Sequence, residues 1–256
     1  YNHWFLAQLS ACWTNASDTD LKDLGGFPGV PQLTNFYAEK VKPADTRIFV
    51  IVSDAMRYEV AAVLADQLRR ETQSKVNLES RQGVFPTITK FGMAALLPHK
   101  ELSVQQKSGG QLQVLVDGQP SEASDRDGIL IKANPQSIAL KYKDIIDMKR
   151  ADRAALVKGM EVVYIYHDRI DEASHSDDAS VFTACEQAIQ EIKTMIRIIV
   201  NEFGGIRILV TADHGFLYTY SALQEDSKVS SDIGGKTVEM GRRYVIAQKD
   251  TAAEYL

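Results

Sequence analysis

Along RIFVIVSDAMRYEVAAVLADQLRRE, residues 48–52 are uninterrupted apolar positions, the pattern of a strand covered on both faces. The run stops at Ser53-Asp54, after which Val60, Leu64 and Leu68 recur at helical spacing. KVNLES reads as a further strand. It leads into RQGVFPTITKFGMAALLPHK, where Pro86 restricts the approach and Thr87 and Thr89 precede a helix. In QLQVLVDGQPSEASDRDGILI, two extended runs flank a polar segment. With the residues to about 157, this stretch is expected to be an insertion or cap. Residues 162–166 form the next buried strand, followed by a polar loop holding His167, Asp168, Asp171 and His175. Phe182, Cys185, Ile189, Ile192, Ile196, Ile199 and Phe203 then mark a long amphipathic helix that stops at Gly204-Gly205. IRILVT is another strand, and GRRYVIA near residue 241 one more. This alternation predicts an α/β fold with a mostly parallel central sheet and helices on both faces.

Composition narrows the picture only a little. The 256 residues suffice for one large α/β domain, and 45% apolar content supports a substantial core. A net charge of −5 gives no electrostatic support for a nucleic-acid binder, although a local basic patch stays open. Cys12 and Cys185 are too few and too far apart for a disulfide scaffold or a metal motif, which favours reduced thiols in the cytosol. Cys185 fits the apolar stripe of its helix, so packing is its expected role. No apolar run approaches membrane length. The opening YNHWFLAQLS has neither Met nor a signal-peptide pattern, so the chain reads as a domain of a longer protein.

The polar residues at the strand exits carry the chemistry. ILVTADHGF ends an apolar run in Asp213 and His214, for which a packed strand has no use. Asp54, Thr89 and the Asp171–His175 region occupy similar strand exits or helix starts, and open α/β sheets bind ligands beyond their carboxyl ends. Carboxylates with imidazoles suit Zn²⁺, and oxygen-rich versions hold Mn²⁺ or Mg²⁺. A threonine hydroxyl beside such an ion becomes a nucleophile suited to phosphorus. Each position also has a plainer reading: Asp54 and Thr89 as helix caps, His167 as a loop hydrogen-bonding group, and Asp168 as an alternative to Asp171. Arg57 either contacts phosphate or faces solvent. Arg242 and Arg243 either approach an anion or lie on a solvated edge. Tyr218 and Tyr220 are expected to shape the loop after His214, and His99 to lie at the surface or in the cap.

IVSDAMRYEVAAVLADQL, FPTITKFGMAALLPHK, YHDRIDEASH and VTADHGFLY, in that order, resemble the successive motifs of a PglZ domain of the alkaline phosphatase superfamily. The resemblance runs from about residue 47 to 247. It implies an alkaline phosphatase-like domain over 47–256, entered through residues 1–46, with the insertion or cap at about 103–157. It also implies a metal centre of Asp54, Thr89, Asp213 and His214, with Thr89 as nucleophile and Arg57 near the phosphate. A second centre would include Asp171 and His175, giving one or two ions, with Zn²⁺ expected ahead of Mn²⁺ or Mg²⁺. That second centre normally includes a later histidine, and none of the five histidines follows His214. The last ligand is therefore replaced, lies outside the chain, or the second ion is weak or absent. PglZ type A proteins accompany BREX bacteriophage-resistance systems. The implied activity is thus that of a cytoplasmic phosphatase or phosphodiesterase acting on a phosphoester, with nucleotides or nucleic acid as candidate substrates and other BREX defence proteins as partners. The competing class is a catalytically degraded structural or interaction module of the defence complex.

Overall fold

The computed structural model describes residues 2–174, 180–217, 237–241 and 244–247. Its helices and strands run α1 (Ala7–Leu24), β1 (Ile48–Ser53), α2 (Tyr58–Glu71), α3 (Thr89–Ala95), β2 (Leu102–Gln106), β3 (Leu112–Val116), β4 (Gln119–Pro120), α4 (Arg126–Ala133), β5 (Ser137–Lys141), α5 (Tyr142–Asp147), α6 (Arg150–Leu156), β6 (Val162–His167), α7 (Arg169–Ser174), α8 (Ser180–Asn201), β7 (Arg207–Thr211), β8 (Thr237–Gly241) and β9 (Tyr244–Ala247).

The central sheet has the order β5-β6-β1-β7 and is parallel throughout. β1 is buried along its whole length because both its faces are covered. Ile48, Val50 and Val52 pack with Met93, Leu96 and Leu97 around α3 and with Val114 of β3. Phe49 and Ile51 point the other way, into Ile192, Met195 and Ile199 of α8 and Leu64 of α2. Each such aliphatic side chain contributes about 1.5–3 kcal/mol when fully buried. The predicted parallel sheet with helices on both faces is therefore the observed one. α8 ends at Asn201, and Gly204 follows with a φ of 66°, the left-handed conformation that turns the chain away from a helix end.

Five local expectations are corrected. KVNLES forms no strand, and an isolated bridge between Gln32 and Gln82 lies just beyond its end. GILI lies within α4, where Ile129 and Leu130 are buried against the β1–α3 core, so its apolar residues serve a helix face. The loop after His167 contains a short helix, α7, which carries Asp171. YVIA is β9, but it pairs antiparallel with β8 and does not extend the parallel sheet. Phe182 also departs from the predicted stripe: it is 41% exposed, while Val181 and Ala184 take the buried positions. Within residues 103–157, β2, β3 and β4 make a separate antiparallel sheet, whereas β5 joins the central one.

Candidate metal and phosphoryl-transfer site

The site lies where β1 and β7 end and α3 begins. Past β1 the backbone turns sharply at Ala55, a buried non-glycine residue with φ 62°. Its N–H donates to Asp213 Oδ1 at 3.2 Å, which ties the exit of β1 to the exit of β7. A left-handed alanine costs about 1–2 kcal/mol, so this turn stores strain beside the cluster. Asp54, Asp213 and His214 are all buried.

α3 is pressed onto the same place. A Cβ on Gly92 would collide with the backbone carbonyl of Asp213, so only glycine lets the helix approach this closely. That approach delivers Thr89, whose Oγ1 lies 3.1 Å from His214 Nε2 and 3.4 Å from Asp54 Oδ1. The cap position of α3 is Ile88, with no side-chain cap bond, so the Thr89 hydroxyl is directed to the cluster. α2 likewise has Arg57 at its cap position and no side-chain cap bond from Asp54. Asp54, Asp171 and His214 each present a ligand atom, all within 4.8 Å of one another.

The electrostatics are those of acids held too close together. His214 Nε2 is 3.3 Å from Asp54 Oδ1 and 3.6 Å from Asp213 Oδ2. Burial, and then the charge of Asp54, push the Asp213 carboxyl up to about 7. Burial would lower the His214 imidazole, but the neighbouring carboxylates outweigh it and raise its pKa. Asp213 Oδ2 and His214 Nδ1 are buried without hydrogen-bond partners. Such groups are rare in native proteins and cost about 1–3 kcal/mol each. Two carboxylates, an imidazole and an orphaned acid oxygen fit a divalent cation, which would satisfy that oxygen and relieve the repulsion.

The other sequence-nominated residues divide clearly. Asp171 joins Asp54 and His214, while its expected companion His175 lies outside the described residues, as do Tyr218, Tyr220, Arg242 and Arg243. Arg57 donates to the Phe216 carbonyl at 3.3 Å and pairs with Glu59, beside Gly215. Asp168 faces Lys143 at 3.5 Å, and His99 donates to the Leu97 carbonyl. His167 is buried in a network of its own: Nδ1 meets Ser53 Oγ at 3.1 Å and Nε2 meets Glu191 Oε2 at 2.7 Å. Burial lowers its pKa, outweighing the pull of Glu191 in the other direction. Sequence reasoning missed Gly92, Ala55 and Glu191. The signal for Gly92 was a glycine inside a short helical pattern, TKFG; the signal for Glu191 was an acid between the buried positions Ile189 and Ile192.

A doubly wound parallel sheet with an acidic–imidazole cluster and a threonine hydroxyl at its strand exits has the layout of an alkaline phosphatase-like protein. The chain belongs to the PglZ family: residues 36–256 match the BREX system PglZ alkaline phosphatase-like domain. It is 37% identical over 265 residues to the alkaline phosphatase-like protein BrxZ of Escherichia coli O9:H4 (strain HS), covering 100% of this chain and 30% of that protein. It is 33% identical over 260 residues to the alkaline phosphatase-like protein PglZ of Bacillus cereus (strain H3081.97), covering 99% of this chain and 30% of that protein. The chain thus spans about 30% of the length of these curated relatives. No helix among the described residues is long and apolar enough to cross a membrane.

Proposed function

We propose that the chain is the metal-dependent phosphoester hydrolase domain of a cytoplasmic phage-defence protein, with Thr89 as nucleophile. The observation that carries this reading is the convergence of the Thr89 hydroxyl with His214 Nε2 and Asp54 Oδ1. Asp54, Asp213 and His214 would hold the cation, with Asp171 within reach of the same cluster. When bound, the ion supplies positive charge that eases deprotonation of a hydroxyl and neutralises phosphoryl oxygens. Zn²⁺ is the first choice for this donor set, with Mn²⁺ or Mg²⁺ as alternatives.

Asp54 Oδ1 accepts from the Thr89 hydroxyl and orients its oxygen. Attack would form the Oγ1–P bond as the P–O bond to the leaving group breaks, and the proton given up by Thr89 would pass through solvent to the departing oxygen, which leaves as the alcohol. Water then cleaves the phosphothreonine, returning the hydroxyl and releasing phosphate or a phosphomonoester. Holding the hydroxyl in place before the ester arrives would supply part of the barrier reduction in such transfers. Nucleotides or nucleic acid are the proposed substrate class, and other BREX proteins the proposed partners, by analogy with the family.

The test is a panel of phosphomonoesters, phosphodiesters and DNA, assayed with Zn²⁺, Mn²⁺ and Mg²⁺ against wild type and Thr89→Ala. Turnover lost in Thr89→Ala, with metal binding kept, supports the reading. Retained turnover in that variant transfers attack to water. No turnover by folded, metal-loaded wild type across the panel favours the interaction-module reading.

A further inference from the structure

We propose that Glu191 of α8 is a positioning residue for the metal cluster, holding Asp54 and Asp171 in register from behind; the proposal rests on the metal-centred reading above. The two oxygens of this carboxylate are divided between two parts of the site. Oε2 accepts from His167 Nε2 at 2.7 Å. Oε1 accepts from Arg169 Nε at 2.9 Å and Nη2 at 2.6 Å.

The first arm leads to Asp54. With its Nε2 proton committed to Glu191, His167 presents an unprotonated Nδ1, which accepts from Ser53 Oγ at 3.1 Å. Ser53 is fully buried and immediately precedes Asp54. The main chain repeats the tie: the Asp54 N–H donates to the His167 carbonyl at 2.8 Å. His167 therefore grips the end of β1 by side chain and backbone together, and Glu191 sets the tautomer and ring orientation that make the side-chain grip work.

The second arm leads to Asp171. Arg169 opens α7, the short helix that carries Asp171 two residues later. Its two-pronged bond to Oε1 anchors α7 to α8. Asp54 and Asp171 come from elements distant in sequence, yet their ligand atoms lie within 4.8 Å of each other. One carboxylate on a rigid helix of 22 residues fixes both. The two arms act on Ser53, the Asp54 backbone and Arg169, so the effect on the metal is indirect.

The experiment compares Glu191→Ala, Glu191→Gln and, as an exposed control on the same helix, Glu186→Ala. Zn²⁺ affinity is read by calorimetry and ligand geometry by the visible spectrum of the Co²⁺-substituted protein, with metal-free stability read separately by denaturation in EDTA. Glu191→Ala is expected to weaken metal binding by about tenfold or more and to alter the Co²⁺ spectrum. Glu191→Gln should recover part of the affinity, because its amide oxygen still accepts from His167 Nε2 while the charge on Arg169 goes unanswered. Glu186→Ala should match wild type. A Glu191→Ala or Glu191→Gln protein that is less stable yet binds metal with wild-type affinity and spectrum would reduce Glu191 to a stability contact and overturn the proposal. If Glu191→Ala does not fold, the isosteric Gln variant decides alone. Wild type that takes up neither Zn²⁺ nor Co²⁺ would overturn the metal reading and this proposal together, an outcome distinct from a Glu191-specific failure.

Discussion

β1 is flanked by β6 and β7, and each neighbour delivers a histidine near its carboxyl end, yet the two rings sit in opposite circumstances. His167, on the β6 side, has a partner for each nitrogen: Ser53 and Glu191. His214, past β7, directs Nε2 towards Thr89, Asp54 and Asp213 and leaves Nδ1 without a hydrogen bond. One exit is internally satisfied; the other gathers acids with an unmatched oxygen on Asp213. Burial is similar at both, so burial does not distinguish the two exits. Incomplete hydrogen bonding does, because a protein tolerates that cost where a ligand will remove it.

The largest expected effect is at His214. His214→Ala is expected to cut phosphoester hydrolysis about a thousandfold, equivalent to about 4 kcal/mol of lost transition-state stabilisation, while the protein stays folded by circular dichroism. Activity near wild type would move the reactive centre elsewhere. Next in size is Gly92→Ala, whose methyl collides with the Asp213 backbone. It should cost about 3 kcal/mol in urea denaturation and separate Thr89 from His214; a silent substitution would mean that α3 is not held against this exit.

His167→Ala sharpens the contrast from the other side. It strands the Ser53 hydroxyl and Glu191, and should destabilise metal-free protein by about 2 kcal/mol, more than His214→Ala does under the same conditions. Equal losses would erase the distinction between the two exits. The smallest effect is a pH dependence of opposite sign at the two exits, which at the β7 side comes from Asp213. An unfolded aspartate titrates near ~4, whereas folded Asp213 is pushed up to about 7. The native state therefore keeps a proton that the unfolded chain has released. This stabilisation is complete below the unfolded pKa and is lost as pH rises through the folded one. His214, also raised, acts in the same sense. Scanning calorimetry should show metal-free wild type losing melting temperature relative to Asp213→Asn as pH rises from about 4 to about 7, and Zn²⁺ should remove the loss by replacing the proton. A pH-independent difference would remove the repulsive pairing of Asp213 with Asp54.

β1, β6, β7 and α8 were legible because their apolar runs are long and their periods distinct. Asp54, Thr89, Asp213 and His214 were legible as candidates because each interrupts such a run with chemistry that packing does not require. The antiparallel placement of β9 and the helical state of GILI were not, since short apolar runs satisfy either period until a neighbouring surface selects one.

The sequence by itself therefore determined the alternation of buried strands and amphipathic helices, and the polar residues at the strand exits, because periodicity and chemical type are local properties. Only the tertiary structure decided which of those residues meet. It brought Asp171 to Asp54 and His214, committed His167 to Ser53 and Glu191, and gave Gly92 its purpose against the Asp213 carbonyl. These are contacts between segments tens of residues apart, set by sheet order and helix approach, and neither quantity is written in any single stretch of chain.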